Sequence, residues 1–111
     1  IVQGWPEWGP SLCLLTLGSE GAYGITAGGV SATVASPKIT VADTVGAGDT
    51  FLAATLSWLY EQGKLAGRGN LGGISPSELT ACLEYAARAA AINCSRPGAN
   101  PPYKHEMANP L

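Results

Sequence analysis

The chain has 111 residues, 46% of them hydrophobic and 13% charged, with a formal net charge of -2. This length suits one domain, since domains run from roughly 50 to 250 residues, and the composition can fill a core, which excludes a disordered tail. A slightly acidic chain with no basic run lacks the footprint of a protein that binds long nucleic acid, and no stretch reaches the ~20 apolar residues of a membrane helix, so a cytoplasmic protein is expected.

Taken in chain order, the sequence opens on Ile1, and IVQGWPEWGP leads straight into an apolar strand, which reads as a start within a longer chain. So low a charged fraction also suggests surface covered by further protein. Leu12–Leu17, LCLLTL, is short and apolar and predicts a fully buried strand ending at Gly18. Ala22–Ala27 and Ser31–Ala35 predict two strands joined as a hairpin through Gly28 and Gly29, with Pro37 closing the second. Asp49–Gln62 predicts a helix with Gly63 as its C-terminal cap. Phe51, Leu52, Leu56, Trp58, Leu59 and Tyr60 cover most of its circumference, so burial on several sides is expected. Lys64–Ile74 is glycine-rich and reads as a surface loop. Ser75, Pro76 and Glu78 then form a helix start, in which serine caps, proline fits the first turn and glutamate completes a capping box. That helix should run to about Cys94, with Leu79, Leu83, Ala86, Ala90 and Asn93 near one face, stopped by Pro97 and Gly98. The tail ANPPYKHEMANPL reads as a loop and fraying end. Cys13, Cys82 and Cys94 lie in apolar segments, and an odd number so placed reads as buried free thiols in a reducing compartment.

The most informative residues are DTVGAGDTF, Asp43–Phe51, where an extended segment turns into a helix. Gly46 and Gly48 let consecutive amides converge at the positive end of a helix dipole, where phosphate binds without lysine or arginine. Asp49 beside an anion site repels phosphate, and phosphoryl transfer to an alcohol supplies the reason for its presence: a carboxylate orients the hydroxyl and accepts its proton. The plainer alternative is that Asp49 only favours a first helical turn and the glycines only make a tight turn. Better known phosphate motifs fail, because no lysine follows in P-loop spacing and Phe51 stands where a dinucleotide fingerprint needs its third glycine.

At these residues the chain resembles the ribokinase-like, or phosphofructokinase-B (PfkB) type, carbohydrate kinases, whose signature is DTxGAGD followed by Thr-Phe. TLGSEGA, Thr16–Ala22, is similar to the family's nucleotide-contacting strand and turn, and AAAINCSRPGANPP, Ala89–Pro102, is similar to the final helix and loop of fructokinases. The resemblance implies an α/β fold, namely the C-terminal portion of a ribokinase-like three-layer α/β/α fold. Residues 1–111 would form its nucleotide-binding and catalytic part, without the N-terminal sugar-binding and lid part. It implies Asp49 as the catalytic base, Gly46, Ala47 and Gly48 as the anion hole, and Thr16, Gly18 and Gly21 along the ATP site. Asp43, with backbone of Arg96 and Gly98, would correspond to a monovalent cation site, K+ being the candidate ion, and Mg2+ would arrive with ATP. One position departs from ribokinase itself: Ala87 stands where that enzyme places an asparagine near adenine.

The activity so implied is ATP-dependent phosphorylation of a sugar, fructose by the likeness of the ending, with ribose, adenosine or ketodeoxygluconate kinases as alternatives within the class. A homodimer is compatible with the family. Outside the class stand a noncatalytic ribokinase-like scaffold and an inert truncated fragment; loss of the acid would favour the scaffold, and Asp49 is present. Lesser signals carry less. Asn93-Cys94-Ser95 spells a glycosylation sequon inside an expected helix, His105-Glu106 opens a zinc-protease pattern that fails at Asn109, and Arg68 reads as a solvated loop charge. Trp58 is expected in the core, with Trp5 and Trp8 covering an edge.

Overall fold

The computed structural model describes residues 12–17, 20–65, 73–102 and 104–108. Three strands, β1 (Leu12–Thr16), β2 (Ala22–Thr26) and β3 (Ser31–Val34), form an antiparallel sheet in the order β1-β2-β3. Leu12 pairs with Thr26 and Thr16 with Ala22 on one side of β2, and Ala22 pairs with Val34 on the other. The β2–β3 hairpin closes as expected through its glycines. Gly29 takes φ 89, and its amide donates to the Thr26 carbonyl at 3.0 Å. The β1–β2 turn closes on Gly21, whose φ is 109 and where a Cβ would stand 1.9 Å from the Val34 carbonyl oxygen. No other residue fits there.

Two helices follow, α1 (Ala47–Glu61) and α2 (Pro76–Cys94). The start of α2 is the one its sequence predicts. Ser75 Oγ accepts the Glu78 amide at 3.2 Å, Glu78 Oε1 accepts the Ser75 amide at 2.9 Å, and Pro76 opens the first turn. At the far end of α1, Gly63 turns left-handed, its amide donates to Tyr60 O and the Lys64 amide to Leu59 O, which is the Schellman arrangement. A Lys64–Glu78 ion pair of 2.9 Å then ties the end of α1 to the beginning of α2.

The core lies along α2, which packs on β2 and β3 with one face and on α1 with another. Leu79, Cys82, Leu83 and Ala86 are fully buried there, joined by Ala22, Val34, Phe51 and Leu59. Gly24 permits this approach, since a Cβ at its position would meet Leu14 at 2.9 Å and Leu79 at 3.2 Å. Among the described residues this gives a sheet layer, α2 across it and α1 outside α2, an α/β arrangement.

Four expectations are corrected. β1 is not fully buried: only Cys13 is, because among the described residues the strand pairs on one side alone. α1 is buried on one face, Phe51, Thr55 and Leu59, whereas Leu52, Leu56 and Tyr60 are exposed, because α2 is the element packed against it. The loop expected over 64–74 ends in the buried Ile74, which stands before the Ser75 cap where an apolar residue can staple to Leu79. The tail is not frayed throughout: Lys104–Ala108 forms a 3-10 helix held by Arg88 Nε to Met107 O at 2.6 Å, by Arg96 to Glu106 and by Lys104 to Glu61. Trp58 packs against the core as expected, and Trp5, Trp8 and Arg68 lie outside the described residues.

Candidate active site

The segment between β3 and α1 carries the site. Gly46 is the N-cap of α1 with φ 80, and no side chain caps the helix. The first amides of a helix have no acceptor within it; here the Ala47 amide donates to Thr44 O at 3.2 Å in the preceding turn, and no side chain caps the amides after it. Ala47 and Gly48 occupy that end, and both line a cavity of about 620 Å³. The size is in the range of small-molecule sites. Asp49 follows in the first turn of α1 and is exposed; it adjoins the cavity-lining Gly48 without lining the cavity itself.

Beside the start of α1, three further pieces of chain wall the cavity. Thr16 and Gly21 come from the β1–β2 end of the sheet, and the extended stretch after β3 contributes Lys38, Ile39 and Val41. The floor is one face of α2: Ala87, Ala90, Ala91 and Cys94, at spacings of three and four, present only small side chains. Ala87, the position that departs from ribokinase, is thus part of a smooth apolar floor.

The turn is fastened to the loop that follows α2. The carboxylate of Asp43 accepts the Val45 amide at 3.0 Å on one oxygen and the Gly98 amide at 3.2 Å on the other. These two amides, Val45 first, hold the Asp43 carboxyl below its ordinary value. The amides of Ala42 and Asp43 both donate to Cys94 O, at 2.8 and 3.1 Å. Asn93, fully buried, donates from Nδ2 to Val45 O at 2.7 Å and accepts the Asn100 amide on Oδ1 at 2.9 Å.

Of the residues singled out from sequence, Thr16, Gly21, Ala47 and Gly48 line one cavity, with Gly46 and Asp49 on either side of the last two. Gly18 lies outside the described residues. Asp43 and Gly98 are in contact, while the Arg96 guanidinium turns away to Glu106, leaving only its backbone for a cation. Asp43 is half-buried and meets Gly98 through the Gly98 amide N–H, a donor to its carboxylate and not itself a cation ligand. Burial of Asn93 removes the sequon from solvent. Sequence reasoning missed the wall from Lys38 to Val41 and the contacts of Asn93. The first carries no motif; the second had a signal, an amide on an otherwise apolar helix face, since a buried polar side chain needs partners.

Residues 3–106 match the pfkB family carbohydrate kinases. The chain belongs to that family. It is 49% identical over 55 residues to a fructokinase of Rhizobium leguminosarum bv. trifolii, covering 50% of this chain and 17% of the relative. Its fold superposes on the crystal structure of a ribokinase from Thermotoga maritima with a TM-score of 0.73 at 25% identity, over 96% of this chain and 31% of that one. It also superposes on a sugar kinase from Pyrococcus horikoshii in complex with ATP, with a TM-score of 0.69 at 31% identity, over 88% of this chain and 28% of that one. The pfkB chain described here therefore spans less than a third of the length of each, and its fold is a portion of the ribokinase-like α/β fold. No helix among the described residues is long and apolar enough to cross a membrane.

Proposed function

We propose that this chain is the nucleotide-binding and catalytic portion of a cytoplasmic sugar kinase that transfers the γ-phosphoryl group of ATP to a fructose hydroxyl. The observation that carries the reading is one cavity, apolar at its α2 floor, that reaches Ala47 and Gly48 at the start of α1, where no side chain caps the helix and Asp49 follows. The adenine of ATP lies on Ala87, Ala90 and Ala91, whose small side chains admit a flat ring. The phosphates reach the amides of Gly46, Ala47 and Gly48, where the helix dipole favours negative charge. Thr16 and Gly21 border the nucleotide from the sheet side, and Gly18 is assigned to the ATP site by the family resemblance alone.

Asp49 accepts the proton of the sugar hydroxyl as that oxygen bonds to the γ-phosphorus, and the bond from the γ-phosphorus to the bridging oxygen breaks to leave ADP. The amides at the turn meet the charge that gathers on the migrating phosphoryl oxygens. Magnesium arrives with ATP, held largely by phosphates and water. A potassium ion would be held by Asp43 with the backbone of Arg96 and Gly98, neutralising a carboxylate close to the phosphates. The sugar pocket and lid belong to an N-terminal part outside these residues, and a homodimer is the proposed assembly of the longer protein. Fructose rests on the Rhizobium relative and on the likeness of the ending Ala89–Pro102; the scaffold alternative has no observation in its favour while Asp49 stands at the turn.

Calorimetric titration of the purified 111-residue chain with MgATP tests the nucleotide half, with saturable binding near one per chain as the expected result. A chain shown to be folded by circular dichroism and yet silent to ATP would sink the reading. For the chemistry, a chimera of the Rhizobium fructokinase carrying this chain in the corresponding segment should phosphorylate fructose, and Asp49→Asn should lower its turnover by roughly 10²- to 10⁴-fold. Turnover unchanged by that substitution removes Asp49 as the base.

A further inference from the structure

Asn93 stands at the end of α2, 48 positions from Val45, with no solvent exposure. Both ends of its amide are used, and they join different segments. Nδ2 donates to the carbonyl of Val45, the residue before the left-handed Gly46, and Oδ1 accepts the amide of Asn100 beyond the Gly98 bend. At Gly46 itself a Cβ would meet Ala99 at 3.1 Å and Asn93 Nδ2 at 3.7 Å, so the same side chain also forms the wall behind the turn.

The orientation of the peptide units around Gly46 sets where the first amides of α1 point, and α1 has no side-chain cap to fix it from within. The restraint must come from outside the helix. Part of it is local: the Ala47 amide donates to Thr44 O at 3.2 Å, and Asp43 accepts the amides of Val45 and Gly98. The carbonyl of Val45 has one side-chain donor, Asn93. A peptide carbonyl held by a buried amide cannot rotate without leaving both groups unsatisfied, which is the cost that makes such a clip rigid.

We propose that Asn93 is a positioning residue: by holding the Val45 carbonyl to the end of α2 and the 98–100 loop, it sets the Gly46–Gly48 amides at the angle in which they bind phosphate. The role rests on the nucleotide reading given above. Asn93 does not line the cavity; it acts through Val45.

The two halves of the amide can be separated. Asn93→Asp keeps an acceptor for Asn100 and removes the donor to Val45 at nearly constant volume; Asn93→Ala removes both and serves if the acid does not fold. Leu79→Ala, fully buried on the same helix but remote from the turn, lowers stability without touching the clip. The measurements are MgATP affinity of the 111-residue chain, referred to the folded fraction, and amide hydrogen exchange across residues 44–50. Expected is an affinity about tenfold or more weaker for the Asn93 variants, the fold-change that corresponds to one lost buried hydrogen bond, with Leu79→Ala at the wild-type value. Wild-type affinity in the Asn93 variants, or an equal loss in Leu79→Ala, overturns the proposal. If the wild-type chain itself fails to bind ATP, the nucleotide reading is what has failed, and exchange decides on Asn93: faster exchange at Gly46–Gly48 in the Asn93 variants alone supports the clip, and unchanged exchange overturns it.

Discussion

Asp43 accepts one amide hydrogen from its own turn and one from the loop after α2, so its charge is part of how the site is held together. A carboxyl whose value in the folded chain lies below its value in the unfolded chain adds stability at every pH above the unfolded value. It gives that stability up as the pH falls through the lower, folded value. Asp43 is lowered by the Val45 and Gly98 amides, and Glu78 by the Ser75 amide and then Lys64. The melting temperature of the chain should therefore hold level from neutral pH down to about pH 4 and drop below it. Asp43→Asn, which sets an amide donor against one of the two N–H groups, should melt lower at pH 7 and show a shallower acid fall, with Glu78 accounting for what is left. Melting curves from pH 7 to pH 2 check this, and superimposable acid limbs for the two proteins would rule Asp43 out as a contributor. Asp43 was legible in the sequence because it opens a motif; its two amide partners were not, because one of them lies 55 positions away.

At the level of elements, what could be read was what is encoded locally. The bounds of α2 follow from Ser75, Pro76 and Glu78 at one end and from Pro97 and Gly98 at the other, and the hairpin follows from Gly28-Gly29, because each signal acts over three or four residues. What faces what is decided by partners distant in the chain. In α1 both the buried line, Phe51, Thr55 and Leu59, and the line one residue on, Leu52, Leu56 and Tyr60, run at spacings of four, so the pattern alone names no single inner face. Packing against α2 settles it and leaves Leu52, Leu56 and Tyr60 exposed by 56, 47 and 75%. Three large apolar side chains in a row on one exposed face favour self-association. Replacing all three by glutamine should shift sedimentation toward the monomer at concentrations where the parent chain associates. It should change stability little, since exposed positions away from special features usually move it by within about 0.5 kcal/mol each. Loss of the folded state in that variant would show that these side chains belong to the core after all. The tail was misread for the same reason, because the turn at Lys104–Ala108 owes its order to Arg88, Arg96 and Glu61 and not to its own residues.

Across the whole molecule, α2 is the element in contact with both the sheet and α1, and the fully buried Leu79, Cys82, Leu83 and Ala86 all belong to it. A chain of this size buries roughly two thirds of its unfolded surface, so a core strung along one helix leaves a narrow margin of stability. Toward its C-terminal end α2 presents alanines where its earlier turns present leucines, and the cavity lies against them. The three thiols sample this gradient. Cys82 is sealed in the core, where burial pushes its thiol up to about 11, and Cys13 is buried in β1; Cys94, expected to be buried as well, is only half-buried because it borders the cavity. Thiolate and access together set the rate of alkylation. A maleimide should therefore consume Cys94 first and Cys82 last, and saturating MgATP should slow the first reaction while leaving the others unchanged, as peptide mass spectrometry after timed quenching would record. Equal rates at Cys94 with and without nucleotide, under conditions where calorimetry shows binding, would put ATP elsewhere. If nucleotide binds as proposed, the cavity carries its own gauge of occupancy, in which the alkylation rate of one sulfur would report the fraction of molecules holding nucleotide, with no turnover required.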